Sequence, residues 1–361
     1  MLLHDEITVP IVESVRGSSR AGVRALVAVF LVLSSAACSS SDDDGASSTT
    51  TTSTTAAPVV GDGEEWIAFQ GVPRGISLIR ADGSGSHVIL GPPGDQNHPD
   101  WSPDGSEIAY VHDGTPSTVM ITDVRGEDPR PLAGSPPADL EGLFWENPAW
   151  SRDGSEIAMV GYDSDPNQTA PARSALAVVK VATGELTVVG ELAKGRLHSF
   201  PRWSPDGQAI VLNVDPFTGA TYDGAAVAII RDRGDTWSAP EEITKVGQYG
   251  RIDWHPTEDL IVFGGYDIGG FATTDEPTNL YTIRSDGSER NPVTSFGSGA
   301  ERATQPTWTS DGRIIFTYVT GSEDEVREIA LVNADGSGLE VVVSANKVGQ
   351  HNRPHPRRRP R

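Results

Sequence analysis

The chain has 361 residues, with 50 acidic side chains against 28 basic ones and a formal charge of −22. That excess repels phosphate and argues against nucleic acid or an anionic lipid surface as partner. One cysteine, Cys38, excludes an internal disulfide, and 39 glycines with 26 prolines make the chain turn-rich, in keeping with a single all-β domain.

Residues 1–38 read as an export segment. Arg16, Arg20 and Arg24 precede an apolar stretch, Ala25-Leu26-Val27-Ala28-Val29-Phe30-Leu31-Val32-Leu33, that is short for a membrane span. Small residues then lead into the cysteine, Ser35-Ala36-Ala37-Cys38, as at a bacterial lipoprotein processing site. This predicts lipid on Cys38 and an exported protein anchored to the bacterial cell membrane and facing outward; the alternative is an ordinary secretory signal or an uncleaved anchor. Asp5, Glu6 and Glu13 do not suit the leading part of a signal, which points to Val15 as the true start. Residues 39–61, Ser/Thr-rich with Asp42-Asp43-Asp44, predict a disordered tether.

The rest of the chain repeats one phrase. Pro99-Asp100-Trp101-Ser102-Pro103-Asp104-Gly105 returns as Pro148-Ala149-Trp150-Ser151-Arg152-Asp153-Gly154 and Pro201-Arg202-Trp203-Ser204-Pro205-Asp206-Gly207. Looser copies are Ile252-Asp253-Trp254-His255-Pro256 and Pro306-Thr307-Trp308-Thr309-Ser310-Asp311-Gly312, and the tryptophans lie 49, 53, 51 and 54 residues apart. A period of this length means supersecondary units that bury their faces only against one another. Each phrase leads through an Asp-Gly turn into a short apolar run such as Ile108-Ala109-Tyr110, then a second run such as Val119-Met120-Ile121-Thr122. An Asp-Gly-Ser turn and a last strand, as at Asp335-Gly336-Ser337 and Leu339 to Val343, complete four strands per period. Four-stranded antiparallel units repeating at this length are propeller blades, with each tryptophan packed in a seam between blades. Trp66-Ile67-Ala68-Phe69 begins a first blade at its second strand, and Pro354-His355-Pro356 stands where a sixth inner strand is due. The prediction is a six-bladed propeller over 62–356, closed by strands from both termini, with 357–361 a basic, solvated tail.

The phrase Pro-x-Trp-Ser-Pro-Asp-Gly-x-x-Ile-Ala-Tyr with its later Asp-Gly-Ser turn resembles the repeat of TolB-like periplasmic propellers. The resemblance covers about 62–356 and weakens in the fifth blade, where Ile252 replaces proline and Thr257-Glu258 replaces Asp-Gly. The amino-terminal α/β domain of that family has no room here.

Variable loops on a rigid scaffold are where function concentrates. The loops joining strands two and three, near 160–174, 214–224 and 264–278, are long and varied, whereas the Ser-Pro-Asp-Gly turns on the opposite side are short and alike. Three of the long loops carry Tyr162-Asp163, Tyr222-Asp223 and Tyr266-Asp267. His98, Trp145, His198, Tyr249 and Arg251 stand where blades begin their inner strands, and are expected near the mouth of the central channel. Aromatic faces beside acids suit a glycan or a cationic peptide, while shared ancestry of the blades also accounts for the Tyr-Asp pairs.

The functional expectation is a monomeric, non-catalytic envelope lipoprotein whose long-loop face binds a protein or glycan. No cofactor is expected. The alternative is a metal-dependent polysaccharide lyase or glycoside-active enzyme, with a divalent metal held by His98, His198 and His351, as in propeller lyases of pectin breakdown. No Gly-x-Ser-x-Gly elbow or His-Glu-x-x-His spacing is present.

Overall fold

The computed structural model describes residues 60–61, 64–71, 75–92, 95–132, 136–163, 173–194, 196–216, 226–244, 248–265, 278–297, 301–321, 325–344 and 354–357, with backbone alone for 191–197, 215–216 and 248–250. Cys38, the export segment and the tether lie outside these residues.

Six four-stranded antiparallel sheets make up the fold. The first blade holds β1 (Trp66–Gly71), β2 (Gly75–Arg80) and β3 (His87–Leu90). The second holds β4 (Gln96–Trp101), β5 (Glu107–His112), β6 (Thr118–Asp123) and β7 (Arg130–Pro131). The third holds β8 (Phe144–Trp150), β9 (Glu156–Tyr162), β10 (Arg173–Lys180) and β11 (Leu186–Lys194). In the fourth are β12 (Arg196–Trp203), β13 (Ala209–Pro216), β14 (Ala226–Arg231) and β15 (Glu241–Glu242), and in the fifth β16 (Gln248–Trp254), β17 (Ile261–Gly265), β18 (Asn279–Ile283) and β19 (Asn291–Pro292). The sixth holds β20 (Glu301–Trp308), β21 (Ile314–Thr320), β22 (Val326–Val332) and β23 (Glu340–Val343), and β24 (His355–Pro356) returns to the first.

Closure follows the expectation. β24 pairs with β1 through Ala68↔His355 and Ile67↔Pro356, so the carboxy-terminal segment is the inner strand of the first blade. Arg357, assigned by sequence to the solvated tail, is buried instead. Its N–H donates to Trp66 O at 2.7 Å and its guanidinium to Gly61 O at 2.8 Å. The guanidinium also lies beside the second blade's turn. A Cβ on Gly105, whose φ is +70°, would stand 2.0 Å from Arg357 Nε.

Side-chain alternation explains why the strand runs are apolar throughout. Each sheet is covered on both faces, so successive residues belong to different seams. In β9, Ile157 and Met159 pack toward the second blade, while Ala158 and Val160 pack toward the fourth. The six hydrophobic clusters correspond to the six seams, and the inner-strand tryptophans Trp101, Trp150, Trp203, Trp254 and Trp308 each sit in the seam with the preceding blade. Trp101 and Trp203 also donate their indole N–H to the preceding blade, to His355 O at 3.0 Å and Ala149 O at 3.1 Å. The outermost strands β7, β15 and β19 have two residues each, with proline in two of them, which leaves those three blades little open edge, whereas β11 in the third blade runs to nine residues.

The turns explain the repeated phrase. Ser102 Oγ donates to Asp104 Oδ1 at 2.7 Å and accepts the Glu107 N–H at 2.9 Å, and Ser106 N–H donates to Asp104 Oδ1 at 3.0 Å. The same bonds recur around Ser151 and Ser204. In the divergent fifth turn His255 takes over the acceptor role, its Nδ1 receiving the N–H groups of Thr257 at 3.2 Å and Glu258 at 3.0 Å.

Trp203→Ala removes a seam anchor and one buried hydrogen bond, and is expected to cost roughly 3–5 kcal/mol. Urea unfolding of native and variant chains reads this directly, and a loss under 1 kcal/mol would place Trp203 outside the packing that holds the blades together.

Candidate functional site at the central channel

Two positions of the repeat build the channel wall, counted back from the inner-strand tryptophan. One residue back stand Asp100, Ala149, Arg202, Asp253 and Thr307, and β24 contributes His355 in the same place. Three residues back stand His98, Asn147, Phe200, Arg251 and Gln305.

The first ring carries a buried ionic cluster. His355 Nε2 lies 2.5 Å from Asp100 Oδ1, and Asp100 Oδ2 accepts the Trp150 N–H of the next blade at 2.7 Å. Asp253 does likewise one half-turn on, its Oδ2 accepting the Trp308 N–H at 2.9 Å. Arg202 lies between the two acids, with NH2 3.7 Å from Asp100 and Nε 3.8 Å from Asp253, and it donates to Pro148 O and Pro201 O. Arg251, 1 % exposed, reaches from the fifth blade to Pro99 O of the opposite, second blade. Arg152 spans from the third blade to Trp254 O at 3.0 Å. These side chains fill the channel at this level. The space left among Asp100, Arg202, Asp253 and His355 is about 20 Å³, room for one water.

Charge balance sets the protonation states. Burial alone would push the Asp100 carboxyl up, but His355, Arg202 and the Trp150 N–H hold it down to about 2. Burial pushes the His355 imidazole below its ordinary value, and the neighbouring Arg202 and Arg251 reinforce this against the pull of Asp100. A neutral His355 donating Nε2–H to an ionised Asp100 satisfies both. Asp100 and Asp253 then balance Arg202 and Arg251.

The second ring is strained and hydrogen-bonded. His98, Asn147, Phe200 and Gln305 adopt φ of +50°, +54°, +52° and +57°, a region that costs a non-glycine residue about 1–3 kcal/mol. Each precedes the phrase's proline, which has no N–H for the ladder, and each lies in a bulge of the inner strand. Asn147 ties three blades together. Its Nδ2 donates to His98 Nδ1 at 3.0 Å and its Oδ1 accepts the Phe200 N–H at 3.0 Å, which also settles the orientation of the amide. Glu146 Oε2 stands 3.9 Å from the same His98 nitrogen.

The bulge corrects two sequence expectations. One extra residue inverts the strand's faces, so positions five residues before the tryptophan turn away from the channel. Trp145, expected at the channel mouth, is buried in the seam between the second and third blades, opposite Gly161. His198 occupies that same repeat position and is buried, whereas His98 stands two residues nearer its tryptophan, so the two are not equivalent. Tyr249 is described by backbone alone, within β16, and His351 lies outside the described residues.

At the long loops, Tyr162 is partly exposed and stacked on Phe144, with centroids 6.4 Å apart. Asp163 is engaged by Arg173, through Nε at 2.9 Å and NH2 at 2.7 Å, and closes the base of its loop. Tyr222, Asp223, Tyr266 and Asp267 lie outside the described residues. Asp100, Arg202, Asp253 and His355 are not among the site residues expected from the sequence. The signal was present in the variable letter of Pro-x-Trp.

No family model matches the chain, and no curated protein is similar to it in sequence. Solved structures are similar in fold. TolB from Acinetobacter baumannii superposes with a TM-score of 0.58 at 14 % identity, over 82 % of this chain and 68 % of TolB. An oligogalacturonate lyase in complex with manganese gives 0.53 at 14 % identity, over 77 % and 74 %. A puromycin-hydrolyzing peptidase from Mycobacterium tuberculosis gives 0.50 at 12 % identity, over 79 % and 44 %. The chain is thus a TolB-like six-bladed propeller in fold. The expectation of a non-enzyme is corrected by the same comparison, because proteins of this architecture include a lyase and a peptidase.

Stability is expected to fall with acid in two steps. A neutral buried His355 takes no proton in the fold that the unfolded chain takes below about pH 6.5, so stability drops by up to about 1.4 kcal/mol per pH unit as pH falls from there. His255, also held below its ordinary value by burial, acts in the same direction. Asp100 adds a second loss as pH falls from about 4 toward its folded value of about 2. Urea midpoints measured from pH 7 to pH 5 are expected to fall less steeply in His355→Gln than in the native chain. An unchanged slope would mean that the buried imidazole is already charged.

Proposed function

We propose that the chain is an exported lipoprotein of the bacterial envelope whose propeller holds a protein segment or a glycan at the long-loop end of its channel. The observation that supports this reading is the filled channel. Arg202 and Arg251 cross it between charged and carbonyl partners, and the remaining 20 Å³ admits no ligand larger than water. A ligand is therefore received at the end of the ring rather than threaded through it. At the long-loop end the partly exposed Glu146, standing beside the buried His98–Asn147 pair, offers a polar group, and Tyr162 on Phe144 an aromatic surface. This combination suits hydrogen-bonded sugars or a peptide.

The second reading, a metal-dependent lyase or glycosidase, draws its support from the manganese-bound lyase of the same fold. Among the described residues no group of three His, Cys, Asp or Glu side chains is placed to hold a metal ion.

The test of the binding face is a triple variant, Tyr162→Ala with Tyr222→Ala and Tyr266→Ala. Exposed substitutions usually stay within about 0.5 kcal/mol of stability, whereas a stacked ligand loses roughly 1–2 kcal/mol of binding. An unchanged melting temperature with loss of the partner captured from envelope extract is the expected result, and a variant that unfolds assigns the tyrosines to blade structure. For the anchor, Cys38→Ala is expected to release the protein from membranes. Sedimentation of that variant with membranes after a high-salt wash would remove lipid on Cys38 from the account.

A further inference from the structure

Trp145 left the channel, and its new position defines a second cavity. In the connection between the second and third blades, residues 136–143 fold a short 3-10 turn (Ala138–Leu140) over the seam. It buries Leu140 and Leu143 and leaves Asp139 and Glu141 exposed. Beneath it lies a cavity of about 120 Å³ lined chiefly by Val119, Leu132, Leu143, Trp145, Met159 and Leu186. Pro116 and Thr118, at the turn between β5 and β6, are exposed at its rim. Blade connections and turns between second and third strands emerge on one side, so the cavity opens toward the long-loop end.

The walls are preformed. The Trp145 N–H donates to Ser117 O at 3.3 Å, and Ser117 Oγ returns a bond to Trp145 O at 3.3 Å. The indole rests on Gly161, where a Cβ would stand 2.8 Å from the ring. An apolar space of this kind holds water poorly and gains by taking an apolar group of matching size. Charge narrows the choice. Asp139 and Glu141, exposed on the turn that covers the cavity, bring negative charge near its mouth without lining it; Arg173 pairs with Asp163, donates to Asp139 O and offsets part of the Asp139 charge.

We propose that this cavity anchors one leucine or aromatic side chain of a partner polypeptide, flanked by lysine or arginine facing Asp139 and Glu141. The proposal rests on the reading of the long-loop end as the binding face and names the chemistry received there. The occupant is a basic peptide segment with a single apolar anchor, because the apolar walls fit the anchor and the acidic turn attracts its neighbours.

The chain has three methionines, Met1, Met120 and Met159. Methyl-labelled methionine therefore gives a resolved NMR reporter inside the cavity, Met159, with Met120 as a control that does not line it. Capped Lys-Leu-Lys, Lys-Gly-Lys and Glu-Leu-Glu peptides are titrated into the full chain at low salt. Lys-Leu-Lys is expected to shift the Met159 signal and leave Met120 in place. Lys-Gly-Lys is expected to bind at least about tenfold more weakly, since it has no apolar side chain to bury. Glu-Leu-Glu is expected to bind several-fold more weakly, since each exposed charge pair contributes little. Leu186→Trp fills the cavity from its half-exposed side and Thr118→Phe narrows the rim, so both are expected to abolish the shift at unchanged melting temperature. Either variant retaining full binding while folded, or a Met159 signal that no peptide moves, overturns the proposal. Equal binding of Glu-Leu-Glu overturns the basic partner. An envelope partner captured equally by native chain and Leu186→Trp retires the cavity and leaves the binding face standing. Peptide binding without any partner at the long loops retires the face and leaves the cavity.

Discussion

The ring depends on the two residues of β24. β24 contributes only Ala68↔His355 and Ile67↔Pro356 to the first sheet, a ladder too short to hold itself. What holds it is its side chains and their neighbours. Trp101 donates to His355 O, His355 meets Asp100, and Arg357 bridges to Gly61 and Trp66. Backbone, indole and ion pair converge on one strand end, so closure and the seam between first and second blades form together.

The molecule keeps opposite electrostatic regimes inside and out. Its surface carries most of an excess of 22 negative charges, while the channel is neutral with two arginines against two aspartates. Buried pairs of this kind repay their desolvation only when every remaining donor and acceptor finds a partner. Here each carboxylate takes a backbone N–H of the next blade, Arg202 gives to Pro148 O of the adjacent blade and Arg251 to Pro99 O across the channel. Arg202 Nε and His355 Nδ1 make no hydrogen bond, so the repayment is partial. The cluster therefore specifies which blade faces which, a service that interchangeable leucines would not perform. In a ring of near-identical repeats that distinction matters.

The fold was legible because the phrase is a physical unit. Its serine and aspartate make the turn, its glycine accepts the positive φ and its tryptophan fills a seam, so five phrases counted five blades, and Trp66 to Phe69 with Pro354-His355-Pro356 supplied the sixth. The site was less legible for two reasons. The proline before x marks a bulge, and a bulge changes which residues face the channel without changing the residues themselves; Trp145 and His198 were misplaced by that single step. The other reason is that x looks like noise when each copy is read alone. Read down the repeats as Asp, Ala, Arg, Asp, Thr and finally His, it is a ring of complementary charges. His255 shows the reverse case, a sequence departure that hid a preserved function, since its Nδ1 accepts the same kind of backbone bond that the serine hydroxyl accepts elsewhere.

Chain order gives the closure a temporal meaning. Synthesis delivers β1 before the other described strands and β24 after them, so until β24 emerges the first blade lacks its inner strand and Trp101 lacks the carbonyl it will bond. Later blades can stack on one another as they emerge, but an arc of stacked blades has two open ends and no channel to fill. The charged residues of the channel wall remain in water until β24 has emerged. A chain ordered this way closes its ring only after every other blade has been made, which leaves the arc pliable until then.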